Sequence, residues 1–182
     1  MCVKRDGQND YERAFEGWLG EQKVRWARVD QTHRCVLDNA PAKTFDYLVY
    51  PKPDGRVLVE LKGRLFRGAS LAGRRGLQCW VFAEDVAALG QWQRRFARES
   101  PDVQAVFVFA YRIEKMAVEY DGLDVYDDDG RRYVFWAIRH QDYRRCLKRR
   151  SPRWKTVTLS ASDFRMLCFP AEQSWIGNGQ CK

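Results

Sequence analysis

The sequence predicts a single α/β domain spanning all 182 residues. Helical and strand periodicities alternate along the chain, with no internal repeat and no clear linker between them. Hydrophobic residues make up 45% of the chain and aromatic residues 14%, which suffices for a sizeable core and argues against wholesale disorder. The most apolar stretch, 103–113, predicts a central strand, because strands buried on both faces read as continuous apolar runs.

The first part of the chain is predicted to fold in the order helix, strand, hairpin, helix, strand. Asn9 or Asp10 can cap the first helix, and Glu84 and Asp85 favour the dipole at the head of the second. The predicted bounds are about 10–22 for the first helix, 24–29 for the short strand, 43–63 for the hairpin, 84–98 for the second helix and 103–113 for the last strand. Residues 33–42 are predicted to be irregular, and 64–76 to form a Gly/Arg-rich loop.

Residues 113–182 are predicted to add a smaller α+β extension. It contains a second hairpin that turns at the acidic residues 127–130, then a basic helix, a strand and a final helical turn. The predicted bounds are 123–126 and 132–139 for the hairpin strands, about 141–149 for the basic helix and 156–159 for the strand, with Ser160 or Ser162 capping the last turn.

The net charge predicts the kind of partner, and the cysteines predict the redox setting. The 32 Lys and Arg residues outnumber the 24 Asp and Glu residues, giving a net charge of +8 and a pI near 9.3. This excess favours an anionic partner, most commonly nucleic acid, and DNA is expected ahead of RNA. Six cysteines without a CxxC or CxxH pair make a structural zinc site improbable and favour a reduced, cytoplasmic setting. No membrane partner is expected, because no apolar run approaches roughly 18 residues.

The hairpin at 43–63 places ionisable residues inside two runs that otherwise read as buried strand. Asp46 lies in the first run, and Glu60 and Lys62 lie in the second. Burying such groups is costly unless they pair with each other or hold a metal. Glu60 and Lys62 are two residues apart and therefore share one face of their strand.

The length of the hairpin loop decides whether Asp46 joins that face. A two-residue loop at Pro53-Asp54 would pair Asp46 with Leu61 and turn its carboxylate to the other face. A three-residue loop, either 52–54 or 53–55, would instead place Asp46 opposite Glu60 or Lys62.

Two carboxylates beside a lysine are typical of metal-dependent phosphodiester cleavage. Mg²⁺ prefers oxygen ligands, which Asp46, Glu60 and the carbonyl of Leu61 can supply, and Mn²⁺ can replace it. The metal would polarise the scissile phosphate and lower the pKa of a bound water. Lys62 would orient or deprotonate that water and stabilise the charge of the transition state.

The pattern Phe45-Asp46 followed by Glu60-Leu61-Lys62 resembles the PD-(D/E)xK nuclease superfamily, which includes restriction endonucleases and Holliday-junction resolvases. Phe45 stands where the family name has proline. The resemblance implies a restriction-endonuclease-like core over about 10–112, with a central mixed β-sheet flanked by helices, and a Mg²⁺-dependent nuclease acting on DNA or structured RNA. It also implies a possible homodimer.

Many members of that superfamily carry a further glutamate on the preceding helix. Glu12 and Glu16 both qualify, because they lie one helical turn apart on one flank, and Glu12 fits the resolvase-like spacing better. The rival interpretation is a non-catalytic nucleic-acid-binding module with the same fold.

Two basic segments are predicted to contact phosphates. The first follows the motif strand, where glycines would permit close approach of the backbone, and the second combines cations with Trp154, which could stack on a base. The residues are Arg64, Arg67, Arg74 and Arg75 in the first segment, and Arg144, Arg145, Lys148, Arg149 and Arg153 in the second.

Overall fold

The computed structural model of the chain describes residues 9–30, 35–37, 40–51, 55–68, 70–115 and 123–175. Its helices are α1 (Asp10–Glu21), α2 (Ala83–Ala97), α3 (His140–Cys146) and α4 (Ala161–Leu167). Its strands are β1 (Arg25–Arg28), β2 (Cys35–Leu37), β3 (Ala40–Ala42), β4 (Tyr47–Tyr50), β5 (Arg56–Phe66), β6 (Val81–Phe82), β7 (Val103–Ile113), β8 (Tyr126–Asp128), β9 (Arg131–Arg139), β10 (Lys148–Ser151), β11 (Thr156–Thr158) and β12 (Phe169–Pro170).

The central sheet is mixed. Its strands follow the order β1-β4-β5-β7-β9-β12, and β8 also pairs with β9. β5 and β7 are parallel, whereas the other described pairings in this sheet are antiparallel. A parallel pair needs a crossover connection, which α2 supplies. The predicted α/β class, with a central mixed sheet flanked by helices, is confirmed.

The sheet buries both of its faces, and this explains the continuous apolar run of β7. Phe15 of α1 packs on one face with Val57 and Val59 of β5. Leu58 of β5 and Leu89 of α2 belong to the cluster on the opposite face, which α3 and α4 also cover. Because side chains alternate along a strand, the even-numbered residues of β5 point toward α2.

Local signals account for the elements that match their prediction. The side-chain oxygen of Asn9 accepts hydrogen bonds of 3.0 Å from the backbone N–H groups of Tyr11 and Glu12, so α1 begins where the cap was predicted. Ser160 caps α4 in the same way, accepting from the N–H of Asp163 at 3.1 Å.

Several segments differ from their prediction. β2 and β3 pair with each other where an irregular segment was predicted. β5 continues to Phe66, because its pairing with β7 extends that far, so Arg64 lies on a strand and not in a loop. The predicted basic helix ends at Cys146, and Lys148 begins β10, which pairs with β11 in a smaller sheet completed by β6. A run of cations offers no apolar stripe with which a longer helix could pack.

The segment predicted as an extension is part of the same sheet. β9 pairs antiparallel with β7 from Val106 to Ile113, and Phe135 of β9 contacts Phe15 of α1 with ring centroids 5.6 Å apart. Residues on both sides of position 113 therefore contribute strands to one sheet. Among the described helices, none has the length and apolar character required to span a membrane.

Candidate active site

The register of the hairpin decides where Asp46 lies. β4 and β5 pair Tyr47 with Val59 and Leu48 with Leu58. This register is the one predicted for a loop at 52–54, which itself lies outside the described residues, and it excludes the two-residue loop. The regular pairing ends at Tyr47, because the N–H of Asp46 bonds to the carbonyl of Val59 and does not continue the ladder toward Glu60.

The backbone and side chain of Asp46 both bond to neighbouring strands. Its N–H donates to the carbonyl of Val59 at 3.0 Å, and its carbonyl accepts from the N–H of Val29 at 2.9 Å. Its Oδ2 accepts a hydrogen bond of 2.6 Å from the N–H of Leu61. The Asp46 carboxylate is thereby held against the peptide that joins Glu60 to Leu61.

Lys62 connects two buried carboxylates. Its Nζ lies 2.7 Å from Oε1 of Glu60 and 2.6 Å from Oδ2 of Asp85. The side chain of Asp85 is fully buried, and those of Glu60 and Lys62 are only 5% and 15% exposed. The ammonium of Lys43 bonds to the other carboxylate oxygen of Asp85. Asp46 and Lys43 form the more accessible side of this cluster.

The sequence prediction did not assign Asp85 or Lys43 of this cluster to the site, and Asp85 is the more deeply buried of the two. It lies in the first turn of α2, where its Oδ2 also accepts from the N–H of Phe82 at 3.3 Å. In the sequence it reads as an ordinary carboxylate at a helix N-terminus. A signal was available, since Lys62 in a buried strand requires a buried counter-charge, and α2 is the helix that crosses over this strand.

The pKa values of the two buried carboxylates, Glu60 and Asp85, shift in opposite directions. Burial raises the pKa of Glu60 to about 7, and repulsion by Asp46 adds to this rise while Lys62 opposes it. Burial would also raise the pKa of Asp85, but attraction by Lys62 and Lys43 outweighs it and lowers the pKa below its usual value.

Lys62 is held in its charged form. Burial alone would lower its pKa, but the attraction of Glu60 and Asp85 exceeds that effect and raises the pKa above its usual value. Lys62 is therefore an ammonium at neutral pH, which donates hydrogen bonds and does not accept a proton.

The carboxylate oxygens of the cluster could provide some, but not all, of the ligands of a hard divalent cation such as Mg²⁺. Asp46 and Glu60 supply carboxylate oxygens close enough to repel each other, and this repulsion is what a cation between them would relieve. Mg²⁺ commonly binds through one or two carboxylates together with waters and substrate phosphates. Within the described ranges, no group of three or more His, Cys, Asp or Glu residues has the geometry to hold a metal. A two-carboxylate site is thus compatible with these residues, and an all-protein cage is not.

The structure does not bring Glu12 or Glu16 to this cluster, which corrects the expectation that one of them completes it. Both lie on α1, which packs on the face of β5 opposite to Glu60 and Lys62. Nη2 of Arg28 lies 3.0 Å from Oε2 of Glu12 and 2.7 Å from Oε1 of Glu16. The two glutamates share a helix flank as predicted, but that flank faces β1.

The arginines of the first basic segment contact different parts of the protein. The guanidinium of Arg64 lies 4.0 Å from the centroid of the Trp80 ring and donates to the carbonyl of Gly63 at 2.7 Å. Arg67 is exposed and forms an ion pair of 2.8 Å with Glu114.

Arg74 is partly buried and bonds within the protein, and its phosphate contact stays a prediction. Its Nη1 donates to the carbonyls of Arg165 and Cys168 at 2.9 Å each, and its guanidinium lies 4.4 Å from the centroid of the Trp136 ring. These contacts tie the segment before β6 to α4. Arg75 is exposed.

The cations of the second basic segment lie in two different places. Arg144 and Arg145 line a cleft of about 640 Å³ between α2 and α3, together with Arg94 and His140. None of the residues that line this cleft belongs to the Glu60 cluster. Lys148 and Arg149 lie on β10, and Arg153 lies in the turn between β10 and β11.

Models of known protein families and a search of curated proteins gave no match to this chain. The chemistry of Asp46, Glu60, Lys62 and Asp85 is therefore inferred from the geometry of the chain itself.

Proposed function

We propose that the chain is a metal-dependent nuclease that hydrolyses phosphodiester bonds in DNA or structured RNA with Mg²⁺, for which Mn²⁺ can substitute. The observation that carries the proposal is the proximity of two hairpin carboxylates, since the charge of Asp46 raises the pKa of Glu60, with Nζ of Lys62 2.7 Å from the Glu60 carboxylate. Placing three ionisable groups in a buried hairpin is costly, and such arrangements concentrate at functional sites.

The order of elements supports a restriction-endonuclease-like core of the PD-(D/E)xK type. Apart from the β2–β3 pair and the short β6, which do not belong to the central sheet, helix α1 is followed by β1, the β4–β5 hairpin, the crossover helix α2 and the parallel strand β7. This is the order of helix, strand, hairpin, helix and strand that the resemblance implies. Fold alone does not determine function, so the proposal depends on the site. A homodimer, a preference for DNA over RNA and a cytoplasmic location stay predictions.

Asp46 and Glu60, with the carbonyl of Leu61, would hold the metal. When bound, the metal supplies Lewis-acid polarisation of the phosphate and activation of a water. Lys62 donates hydrogen bonds and positive charge toward the oxygens that gain charge in the transition state. Its raised pKa favours this role over proton abstraction. Asp85 positions Lys62 by accepting one of its hydrogen bonds at 2.6 Å.

The proposal predicts that Lys62→Met abolishes cleavage while the protein stays folded. Methionine keeps most of the length of the side chain and removes the ammonium that stabilises the transition state, so the rate of Mg²⁺-dependent plasmid nicking should fall by about 100-fold or more. The matched control is Lys23→Met, at an exposed lysine after α1, which should nick at the wild-type rate. Undiminished nicking by Lys62→Met would remove Lys62 from the reaction.

The alternative is a non-catalytic nucleic-acid-binding module. The observation that favours it is that Lys62 already forms two short ion pairs, with Glu60 and Asp85, in a largely closed cluster. A wild-type protein that retains DNA but never cleaves it with Mg²⁺ or Mn²⁺ would establish this alternative.

A further inference from the structure

The hairpin formed by β10 and β11 is anchored at the helix end that carries Asp85. The carbonyl of Lys155, in the hairpin turn, accepts a hydrogen bond of 2.9 Å from the N–H of Ala83, the first residue of α2. β11 pairs with β6, so that Thr156 lies opposite Phe82. The hairpin turn is therefore bonded to α2 at Ala83, two residues before Asp85.

A second contact ties the hairpin to the motif strand. The guanidinium of Arg150, on β10, lies 5.0 Å from the centroid of the Trp80 ring, and that of Arg64, on β5, lies 4.0 Å from the same centroid. Arg64 follows Lys62 by two residues and so extends from the same face of β5. Two cations on one aromatic ring repel each other, and an anion near them would relieve that repulsion.

The cations of the hairpin are available for an external anion. Those of β10 and its turn are exposed, and four of them have no carboxylate within 4.0 Å among the residues that the structure describes. The four are Arg149, Arg150, Arg153 and Lys155. Lys148 is paired only at the limit of 4.0 Å, with Asp163. Most described arginines on the α1 side of the sheet are instead paired with carboxylates.

Exposed aromatic rings lie at the same corner of the molecule. Trp154 in the hairpin turn is 63% exposed, and Phe82, which pairs with β11, is 43% exposed. In the described ranges, only Met166 is another exposed large hydrophobic residue. The guanidinium of Arg153 lies 5.2 Å from the centroid of the Trp154 ring. Exposed rings among unpaired cations combine base stacking with phosphate attraction, which is how proteins bind single-stranded nucleic acid.

We propose that the β10–β11 hairpin binds single-stranded nucleic acid by stacking an unpaired base on Trp154, while its cations hold the adjacent phosphates. The part of this inference that concerns cleavage rests on the proposed nuclease function, since the hairpin would deliver the bound strand to the Asp46–Glu60 site. A base inside a duplex is already stacked between its neighbours and would have to be extruded before it could contact Trp154.

The test is equilibrium binding of the full chain by fluorescence anisotropy in EDTA, so that no cleavage occurs. The three probes are a labelled single-stranded oligonucleotide, the same strand in a duplex and an abasic strand of equal length. Wild type should prefer the single strand to the duplex. Trp154→Ala should weaken single-strand binding by about tenfold, in line with the loss of one stacked base, and leave abasic binding unchanged. Trp154→Phe should retain most of the affinity.

The matched control is Met166→Ala, which removes an exposed apolar side chain outside the hairpin and should leave the affinity for the single strand unchanged. Wild-type affinity of Trp154→Ala for the single strand, equal losses on the abasic strand, or a preference for the duplex would each overturn the inference. A protein that shows the Trp154 effect but never cleaves would uphold this inference and refute the nuclease proposal. Cleavage without any effect of Trp154→Ala on binding would uphold the nuclease proposal and refute this inference.

Discussion

Glu60 and Asp85 show how two carboxylates bonded to one lysine acquire different properties. Asp85 faces both Lys62 and Lys43, and it also accepts from a backbone N–H, so its charge is well compensated. Glu60 faces Lys62 alone and is repelled by Asp46. Glu60 is therefore the less compensated of these two carboxylates, and it lies beside Asp46, where the proposed cation would bind.

This difference predicts how stability depends on pH in EDTA. The pKa of Glu60 is about 7 in the folded protein and has an ordinary value of 4.5, so between these values the folded state binds more protons than the unfolded state. The free energy of unfolding should therefore decrease as the pH rises from about 4.5 to 7, by roughly 3 kcal/mol. Urea denaturation at several pH values measures it, and a profile equally steep in Glu60→Gln would contradict it.

Asp85, the second carboxylate bonded to Lys62, should affect stability in the opposite direction from Glu60. The lowered pKa of Asp85 means that its charge stabilises the fold above its ordinary pKa of 3.8, and this contribution is lost as the pH falls below that value. At pH 8 we expect Glu60→Gln to be at least as stable as wild type. Asp85→Asn should lose about 3 kcal/mol, because it breaks buried ion pairs from one side.

At the scale of residues, the part of the site that lies within one hairpin was predictable. Strand alternation places Glu60 and Lys62 on one face, and the hairpin brings Asp46 beside Glu60, although the regular pairing ends at Tyr47. Asp85 was not predictable in the same way, because its contact with Lys62 depends on where the crossover helix begins and how it packs.

At the scale of elements, α1 packs directly on the motif strand at a glycine. A Cβ atom on Gly63 would come within 2.5 Å of the ring of Tyr11, so only glycine fits between β5 and this helix. Gly63→Ala should destabilise the protein by about 1–3 kcal/mol, because β5 is paired with β7 and cannot shift freely. Thermal or chemical denaturation measures this loss.

The double variant Tyr11→Ala/Gly63→Ala tests the cause, since removing the ring should recover part of the loss relative to Tyr11→Ala alone. Gly20→Ala on α1 is the matched control, because a Cβ atom there meets nothing within 4 Å. It should be neutral or slightly stabilising, as expected for alanine in a helix. Equal losses at Gly20 and Gly63 would refute a steric role for Tyr11.

Elements with strong periodicity or caps were predicted closely, as were the short strands β1 and β11, whereas β2, β3 and β10 were not. α1, α2 and β7 end within about a residue of their predicted bounds, since each has a clear apolar pattern. β10 was mistaken for helix, because four consecutive polar residues carry no period. Helical spacing placed Glu12 and Glu16 on one flank but could not say that Arg28 of β1 would face it.

At the scale of the whole molecule, the second half of the chain completes the first. β9 covers the edge of β7, and the β10–β11 hairpin brings unpaired cations beside the head of α2. The sequence indicates each of these elements but not their neighbours, because strand order depends on long-range pairing. As a result, the basic hairpin lies beside the helix end that carries Asp85 of the carboxylate cluster, although the two are far apart in sequence.

The most direct measurement of the central claim is calorimetric titration of Mn²⁺ into wild type and three variants at pH 7.5. Wild type should bind Mn²⁺, and both Asp46→Asn and Glu60→Gln should lose that binding, because each removes one of the two carboxylates. Glu172→Gln, at another half-buried carboxylate outside the cluster, should bind as wild type does. Undiminished binding by Asp46→Asn and Glu60→Gln, or no binding by wild type even with a single-stranded oligonucleotide present, would contradict a shared cation at this site.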